Sequence, residues 1–102
     1  MSAQYLYLTT RGRSTGFPRE IEIWFTQIGE KFYVIAEYET SNWVRNIRAN
    51  SNVTVRVDAD EFPATARIVS AIDNADLHHR VQELSRQKYG WCDGLVIELC
   101  RN

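Results

Sequence analysis

Short segments in which apolar and polar residues alternate recur along most of the chain. In the segment from Arg19 to Gln27, Ile21, Ile23 and Phe25 alternate with glutamates and a tryptophan. A period of two is typical of a strand with one buried face. Val53 to Asp58 alternates in the same way. A chain with this pattern must pair its strands into a sheet, which favours a mainly β protein.

The alternation and the turn-forming residues together predict six strands. These are Tyr5 to Thr10, Arg19 to Gln27, Lys31 to Tyr38, Val53 to Asp58, Phe62 to Val69 and Leu95 to Cys100. Gly29 and Glu30 separate the strands of one hairpin, and the residues from Ala59 to Glu61 form the turn of a second. Closing a small sheet removes its exposed edges, so we expect an antiparallel barrel.

Two segments have the spacing of helices. Ser41 or Asn42 can cap a short helix that runs through Asn50. Asp73 is a candidate cap for a second helix, which runs to about Lys88 with apolar residues at helical spacing. The second helix is expected to lie against the barrel.

Length and charge limit the classes of function. The chain has 102 residues, which fits one domain over residues 1–102. Its formal net charge is −1, so the broad attraction that most nucleic-acid binders need is missing. The N-terminal residues do not resemble a secretory signal, and no apolar run is long enough to span a bilayer. We expect a cytoplasmic protein without a nucleic-acid or membrane partner.

The reactive residue types form no recognisable catalytic or metal-binding set. The spacing of Cys92 and Cys100 matches neither a redox pair nor a zinc site, so both are expected to be free structural thiols. His78 and His79 are adjacent in the second predicted helix and point in different directions. The sequence therefore predicts no metal site and no catalytic side chain.

The segment from Thr9 to Arg19 combines arginines, hydroxyl residues and glycines between two predicted strands. Such a loop can present hydrogen-bond donors to a phosphate. It lacks the spacing of a P-loop and of a dinucleotide-binding glycine motif. A solvated polar turn is the other interpretation. An anion site without a nucleophile suits a protein whose reactive group is a bound cofactor.

Tryptophans are the second candidate feature. Trp24, Trp43 and Trp91 could wall a planar ligand, because aromatic rings stack on conjugated systems. Tryptophan in a domain of this size is more often part of the core. Trp43 is the best candidate for a ligand contact.

Two motifs carry a resemblance to a known family. Thr10 to Gly16 follows the pattern T-x-G-R-x-(S/T)-G, Arg19 comes next, and Trp43 to Asn50 follows W-x-x-N-(L/I)-x-A-N. With the strands around them, these motifs resemble the deazaflavin-dependent nitroreductase and quinone reductase family, within the FMN-binding split barrels. Ser14 or Thr15 stands where the family's loop usually has a lysine.

The resemblance implies a fold and an activity. The fold is mainly β with two helices, a six-stranded antiparallel split β-barrel, in a homodimer that holds the cofactor where the subunits meet. The cofactor is coenzyme F-420, a deazaflavin, with FMN as the alternative. The implied reaction is hydride transfer to a quinone, nitroaromatic or enone-like acceptor. A non-catalytic protein that binds a flavin, tetrapyrrole or fatty acid is the competing interpretation.

The same resemblance implies cofactor-binding residues. The cofactor's phosphate-bearing tail would be held by Thr10, Arg11, Gly12, Arg13, Ser14, Thr15, Gly16 and Arg19. Trp43 and Asn46 would lie near its ring.

Overall fold

The computed structural model describes residues 4–102, in which seven strands and two helices form. The strands are β1 (Tyr5–Arg11), β2 (Pro18–Trp24), β3 (Thr26–Ile28), β4 (Lys31–Ala36), β5 (Asn52–Val57), β6 (Asp60–Ile68) and β7 (Leu95–Arg101). The helices are α1 (Asn42–Ala49) and α2 (Ala75–Tyr89). The strands make one antiparallel sheet in the order β2-β1-β5-β6-β7-β4-β3. This curled half-barrel confirms the expected mainly β fold with two helices.

The expected count of six strands was wrong, because the predicted strand from Arg19 to Gln27 is two strands, β2 and β3, separated by Phe25. The backbone of Phe25 bonds to a distant side chain instead of a neighbouring strand. Its N–H donates to the Tyr89 hydroxyl at 3.0 Å, and that hydroxyl donates to the Phe25 carbonyl at 2.7 Å. Since β2 and β3 are the two edges of the sheet, this single residue joins the edges and curls the sheet on itself.

Both predicted hairpins are present. In the β3–β4 hairpin, Ile28 pairs with Lys31, and Gly29 between them has a φ of 60°, which glycine adopts without strain. In the second hairpin Val57 pairs with Asp60. The turn is therefore earlier and tighter than the predicted turn from Ala59 to Glu61.

The core occupies the inside of the curled sheet. Leu6 and Leu8 of β1, Val55 of β5 and Leu99 of β7 are completely buried there. Helix α1 covers one end of this core with Val44 and other apolar side chains.

Helix α2 packs outside the barrel, as expected. Val81 of α2 belongs to a second buried cluster that includes Tyr33 and Ile35 of β4 and Val96 of β7. The predicted cap was wrong, since α2 begins at Ala75 and its N-cap is Asn74. The residue expected to cap it, Asp73, lies in the preceding turn, where its N–H donates to the Ser70 hydroxyl at 3.1 Å.

The last strand contains one buried charge. β7 confirms the predicted closing strand, but Glu98 within it is only 4% exposed. Its carboxylate accepts hydrogen bonds from the Tyr33 hydroxyl at 2.9 Å and from two nitrogens of the Arg67 guanidinium at 3.2 Å. Burial and the hydrogen bond to Glu98 raise the pKa of Tyr33 to about 12. Cys92 and Cys100 are free thiols, as expected, and Cys100 lies in β7.

Candidate functional site

The loop between β1 and β2, residues 12–17, is closed by its own backbone. The Gly12 N–H donates to the Phe17 carbonyl at 2.8 Å, and the Gly16 N–H donates to the Gly12 carbonyl at 2.7 Å. Gly16 has a φ of 75°, a conformation that favours glycine. A side chain at Gly12 would place its Cβ 2.9 Å from the Thr15 hydroxyl oxygen. Both glycines are therefore needed for the tight shape of this loop.

Helix α1 holds the loop through Arg13. The Arg13 guanidinium donates to Asn46 Oδ1 at 2.9 Å, and the Arg13 backbone N–H donates to the same oxygen at 3.2 Å. Longer bonds from the guanidinium reach the side chain and carbonyl of Asn42. The arginine is exposed, so its charge remains available to an anion while its position is fixed.

Asn46 joins three elements of the fold. It is 3% exposed, and its Nδ2 donates to the Thr10 hydroxyl at the end of β1 at 3.2 Å. Both ends of its amide are thus used, one by β1 and the other by the loop. Asn46 positions the loop, and Thr10 anchors it.

The remaining candidate loop residues are exposed. The Arg11 guanidinium donates to the Gly16 carbonyl at 3.0 Å, and the Phe17 N–H donates to the Thr15 hydroxyl at 3.2 Å. Arg19 lies opposite Thr10 in the β1–β2 ladder. Over residues 4–102, neither the Arg19 nor the Ser14 side chain has a hydrogen bond or ion pair, and both residues are exposed, so both side chains can meet a ligand.

A groove of about 690 Å³ runs beside β2 and is lined by the residues from Ile21 to Thr26. Other walls come from β4, from α1 and from the end of α2. Its aromatic lining consists of Tyr5, Trp24, Phe25, Tyr33, Tyr38, Trp43, Tyr89 and Trp91. All three tryptophans border this groove. The core interpretation of Trp24 was wrong, since this residue is 38% exposed.

One wall of the groove is a stacked aromatic pair. The rings of Trp24 and Tyr89 lie 4.6 Å apart and are tilted by 5°. The Tyr89 hydroxyl is held by the backbone of Phe25, so the position of this ring is fixed by the junction that joins the sheet edges. The wall is therefore rigid and flat.

The loop and the groove lie along the same strand. Side chains two apart on a strand share a face and are separated by about 6.6 Å, so Arg19, Ile21 and Ile23 follow one another on one face of β2. Arg19 is close to the loop, and the two isoleucines line the groove. Helix α1 also borders both the groove and the loop. Trp43 lines the groove, and Asn46, one turn later, holds the loop.

The charges divide between these two regions. The loop region carries Arg11, Arg13 and Arg19. Among the described residues that line the groove, the charged ones are Glu22 and Glu37. The Tyr7 hydroxyl donates to Glu22 at 3.2 Å, and this bond and the carboxylate's charge raise the pKa of Tyr7. The loop is therefore cationic and the charged lining residues of the groove are anionic, while Lys88 Nζ lies 4.0 Å from the ring centroid of Phe25 on one wall.

The structure brings together some of the predicted residues and adds others. Arg13 and Thr10 are bonded to α1, and Arg19 lies opposite Thr10. Of the predicted set, only Trp43 lines the groove. Asn46 is bonded to the loop, away from the lining residues. Tyr89 and Thr26 were missed. No local motif identifies Tyr89 as a wall residue, because its contact with Phe25 spans 64 positions of sequence.

Comparison with known proteins identifies the family. Residues 1–92 match the F420H(2)-dependent quinone reductase family. No curated protein sequence gives a significant match. No helix within residues 4–102 is long and apolar enough to cross a membrane.

Solved structures share the fold at low sequence identity. An F420-H2 dependent reductase is 18% identical with a TM-score of 0.78, over 94% of this chain and 93% of that one. HutZ, the heme storage protein from Vibrio cholerae, is 19% identical with a TM-score of 0.81, over 98% and 82%. A domain-swapped dimer is 18% identical with a TM-score of 0.80, over 97% and 81%. These neighbours confirm the split-barrel fold, and the match over residues 1–92 shows that the chain is an oxidoreductase of the F420H(2)-dependent quinone reductase family.

Proposed function

We propose that this protein transfers a hydride from reduced coenzyme F-420 to a small quinone, nitroaromatic or enone-like acceptor. One observation carries the proposal: a positioned cationic loop and a flat-walled aromatic groove lie along the same strand, β2. Membership of the family supports F-420 as the cofactor. FMN is the alternative, because it has the same combination of a planar ring and a phosphate-bearing tail.

The groove fits a tricyclic ring in size and character. Its volume of about 690 Å³ falls in the range of small-molecule sites, about 300–1,000 Å³. The parallel pair of Trp24 and Tyr89 and the side chain of Trp43 offer faces on which a conjugated ring can stack. Ile21 and Ile23 provide apolar contacts next to Trp43. The residues present are therefore suited to a deazaflavin or flavin ring.

The distribution of charge orients the cofactor. The anionic tail is attracted to Arg13 and Arg19 near the loop. We assign the tail to loop residues 11–16, together with Arg19. Thr10, which the sequence also predicted as a contact, is only 1% exposed and bonded to Asn46, so we assign it the role of anchoring the loop. Trp43 borders the ring. We assign Asn46 a positioning role instead of the ring contact that the resemblance implies, because Arg13 and Thr10 use both ends of its amide.

The cofactor and the acceptor carry the redox chemistry between them. Reduced F-420 supplies a hydride, which is two electrons and one proton, and a quinone that also takes one proton from solvent leaves as the hydroquinone. The protein's part is to bind, orient and exclude water. The aromatic walls of the groove provide the apolar surroundings, and the fixed loop sets where the tail ends and so how far the ring reaches along β2.

We also propose that the protein is a homodimer. Tyr5, Trp24 and Tyr38, which border the groove, are 42%, 38% and 63% exposed, and Phe17 at the loop is 66% exposed. Apolar surface of this kind around a site is typical of an interface. The likeness to a domain-swapped dimer supports the proposal. Sedimentation equilibrium tests it: the mass of two chains is expected, and a single-chain mass at micromolar concentration would contradict it.

A non-catalytic ligand carrier is the second candidate, favoured by the likeness to a heme storage protein. Turnover separates the two. The purified protein is mixed anaerobically with reduced F-420 and menadione, and the return of the visible absorbance of oxidised F-420 is followed. We expect a rate proportional to protein concentration. Tight F-420 binding without turnover of menadione, a nitroaromatic or an enone would favour the carrier.

A further inference from the structure

The two glutamates that line the groove should affect which acceptors bind there. Among the described residues along the groove, Glu22 and Glu37 are the charged ones, and both are exposed. Within the described part of the chain neither forms an ion pair, and Glu22 accepts a hydrogen bond from the neutral Tyr7 hydroxyl. By contrast, the neighbouring Glu20 is paired with Arg56 at 3.4 Å. Two carboxylates without an ion pair therefore line the groove. Two cations lie against rings beside it: Arg56 is 4.1 Å from the ring centroid of Tyr7, and Lys88 Nζ is 4.0 Å from that of Phe25.

A second observation shows that the groove has a polar contact to offer. Thr26 lines it and is 6% exposed. Its hydroxyl is buried and has no hydrogen-bond partner within residues 4–102. An unsatisfied buried hydroxyl is costly, and rotation of the side chain towards the groove would let this hydroxyl bond to a polar atom of a ligand. The groove is thus suited to a planar compound that has a carbonyl or similar group and no negative charge.

We propose that the groove selects among acceptors by charge: it binds neutral and cationic planar acceptors more tightly than anionic ones. This inference rests on the proposed function. The selection arises from the unpaired carboxylates of Glu22 and Glu37, whose repulsion acts on any acceptor that enters beside them. The loop arginines do not cancel this field for an acceptor, because the cofactor tail neutralises them, and Arg56 is paired with Glu20. Lys88, over the Phe25 ring, offsets part of the field and is present equally in the wild type and the variants.

The size of the effect follows from Coulomb's law. One unit charge at a distance of about 6 Å in water changes an affinity about threefold. Two carboxylates together should therefore change it about tenfold for an anion relative to a neutral molecule of the same shape. Both carboxylates are exposed, so the effect should shrink in concentrated salt, where the screening length falls to about 3 Å at 1 M.

Three acceptors of different charge test the proposal: naphthoquinone sulfonate, menadione and methylene blue, which are anionic, neutral and cationic. Methylene blue takes up the hydride to give its neutral leuco form. KM is measured for the wild type, Glu22→Gln, Glu37→Gln and the double variant. Glu61→Gln, which removes the same charge outside the groove, is the matched control. Glutamine keeps the size of the side chain and still accepts from Tyr7.

In the double variant we expect the KM of the sulfonate to fall about tenfold, that of methylene blue to rise by a similar factor, and that of menadione to stay within about twofold. High salt should reproduce these changes in the wild type. Equal changes for all three acceptors, or none, would overturn the proposal. So would a collapse of menadione turnover in either single variant, because the carboxylates would then act on the reaction itself.

These measurements distinguish a failure of the proposed function from a failure of the charge inference. If the wild type reduces no acceptor, the hydride-transfer proposal is wrong, and equilibrium dialysis of the same three compounds against the protein still measures the charge preference. If menadione is reduced but the sulfonate KM does not respond to the double variant, only the charge inference fails.

Discussion

Asn46 Oδ1 accepts two hydrogen bonds from one residue, Arg13: the guanidinium donates at 2.9 Å and the backbone N–H at 3.2 Å. The side chain of a buried helix residue thereby fixes an exposed cation. Loops are mobile unless something holds them. This contact explains how a six-residue connection can present a charge at a defined place.

Removing the Asn46 amide should destabilise both the loop and the fold. Asn46→Ala leaves the buried Thr10 hydroxyl without its donor, and the loss of a buried hydrogen-bond partner costs about 1–3 kcal/mol. For a domain of this size, each kcal/mol lowers the melting temperature by about 4–8 °C. Thermal unfolding followed by circular dichroism measures the loss. Asn42→Ala is the matched control, since its contacts with Arg13 are exposed and long; an equal loss in both variants would contradict the role of Asn46.

The loop arginines should control cofactor affinity. Hydrogen bonds to charged groups contribute about 1.5–3 kcal/mol, so Arg19→Ala should weaken F-420 binding about tenfold or more. Arg13→Ala should do the same and also loosen the loop. Neither should unfold the barrel, because both side chains are exposed. Arg80→Ala on α2 removes the same charge elsewhere. Wild-type affinity in both loop variants would reject the assignment.

Tryptophan emission should report the position of the ring. Trp43 lies one helical turn before Asn46 and next to the apolar face of β2, whereas Trp24 is at the far end of that strand. A ring whose tail reaches the loop should therefore quench Trp43 more strongly. We expect Trp43→Phe to remove more of the F-420-induced quenching than Trp24→Phe does. Equal losses in the two variants would place the ring elsewhere in the groove.

The Tyr33–Glu98 pair should give the fold a pH dependence at alkaline pH. The pKa of Tyr33 is raised from 10 to about 12, so its contribution to stability is complete below pH 10 and is lost as the pH rises towards 12. Tyr33→Phe should reduce the fall in melting temperature over that interval. An unchanged alkaline profile in this variant would contradict the assignment.

At acid pH the same cluster acts with the opposite sign. Burial opposes ionisation of Glu98, but the hydrogen bonds from Arg67 and Tyr33 outweigh it and lower the pKa of this carboxyl. Its contribution is therefore present above the ordinary glutamate pKa and is lost as the pH falls through the lowered value.

The sequence predicted most of the fold, because alternation and turn residues act locally. The turn at Gly29 and the pairing of the two strands that it joins involve residues that are close in the sequence. The break at Phe25 could not be predicted in this way, because it depends on the hydroxyl of Tyr89. The burial of the charged Glu98 could not be predicted either, because its hydrogen-bond partners lie in two other strands, β4 and β6.

The site was predicted in part. The loop motif located the arginines, and the W-x-x-N motif located Trp43 and Asn46. The motif could not show that Asn46 would face the loop, since that depends on how α1 lies across the barrel end. Nor could it show that Thr26 and the pair of Trp24 and Tyr89 would border one groove. These contacts are tertiary and leave no periodic signal in the sequence.

The central claim is that the loop and groove together bind F-420. Titrating the protein with oxidised F-420 and, separately, with FMN, while following tryptophan quenching and cofactor absorbance, tests it most directly. We predict saturable binding of F-420 at one site per chain, with FMN weaker. Selective binding of FMN would show that FMN, and not F-420, is the cofactor. Binding of neither cofactor would contradict the central claim.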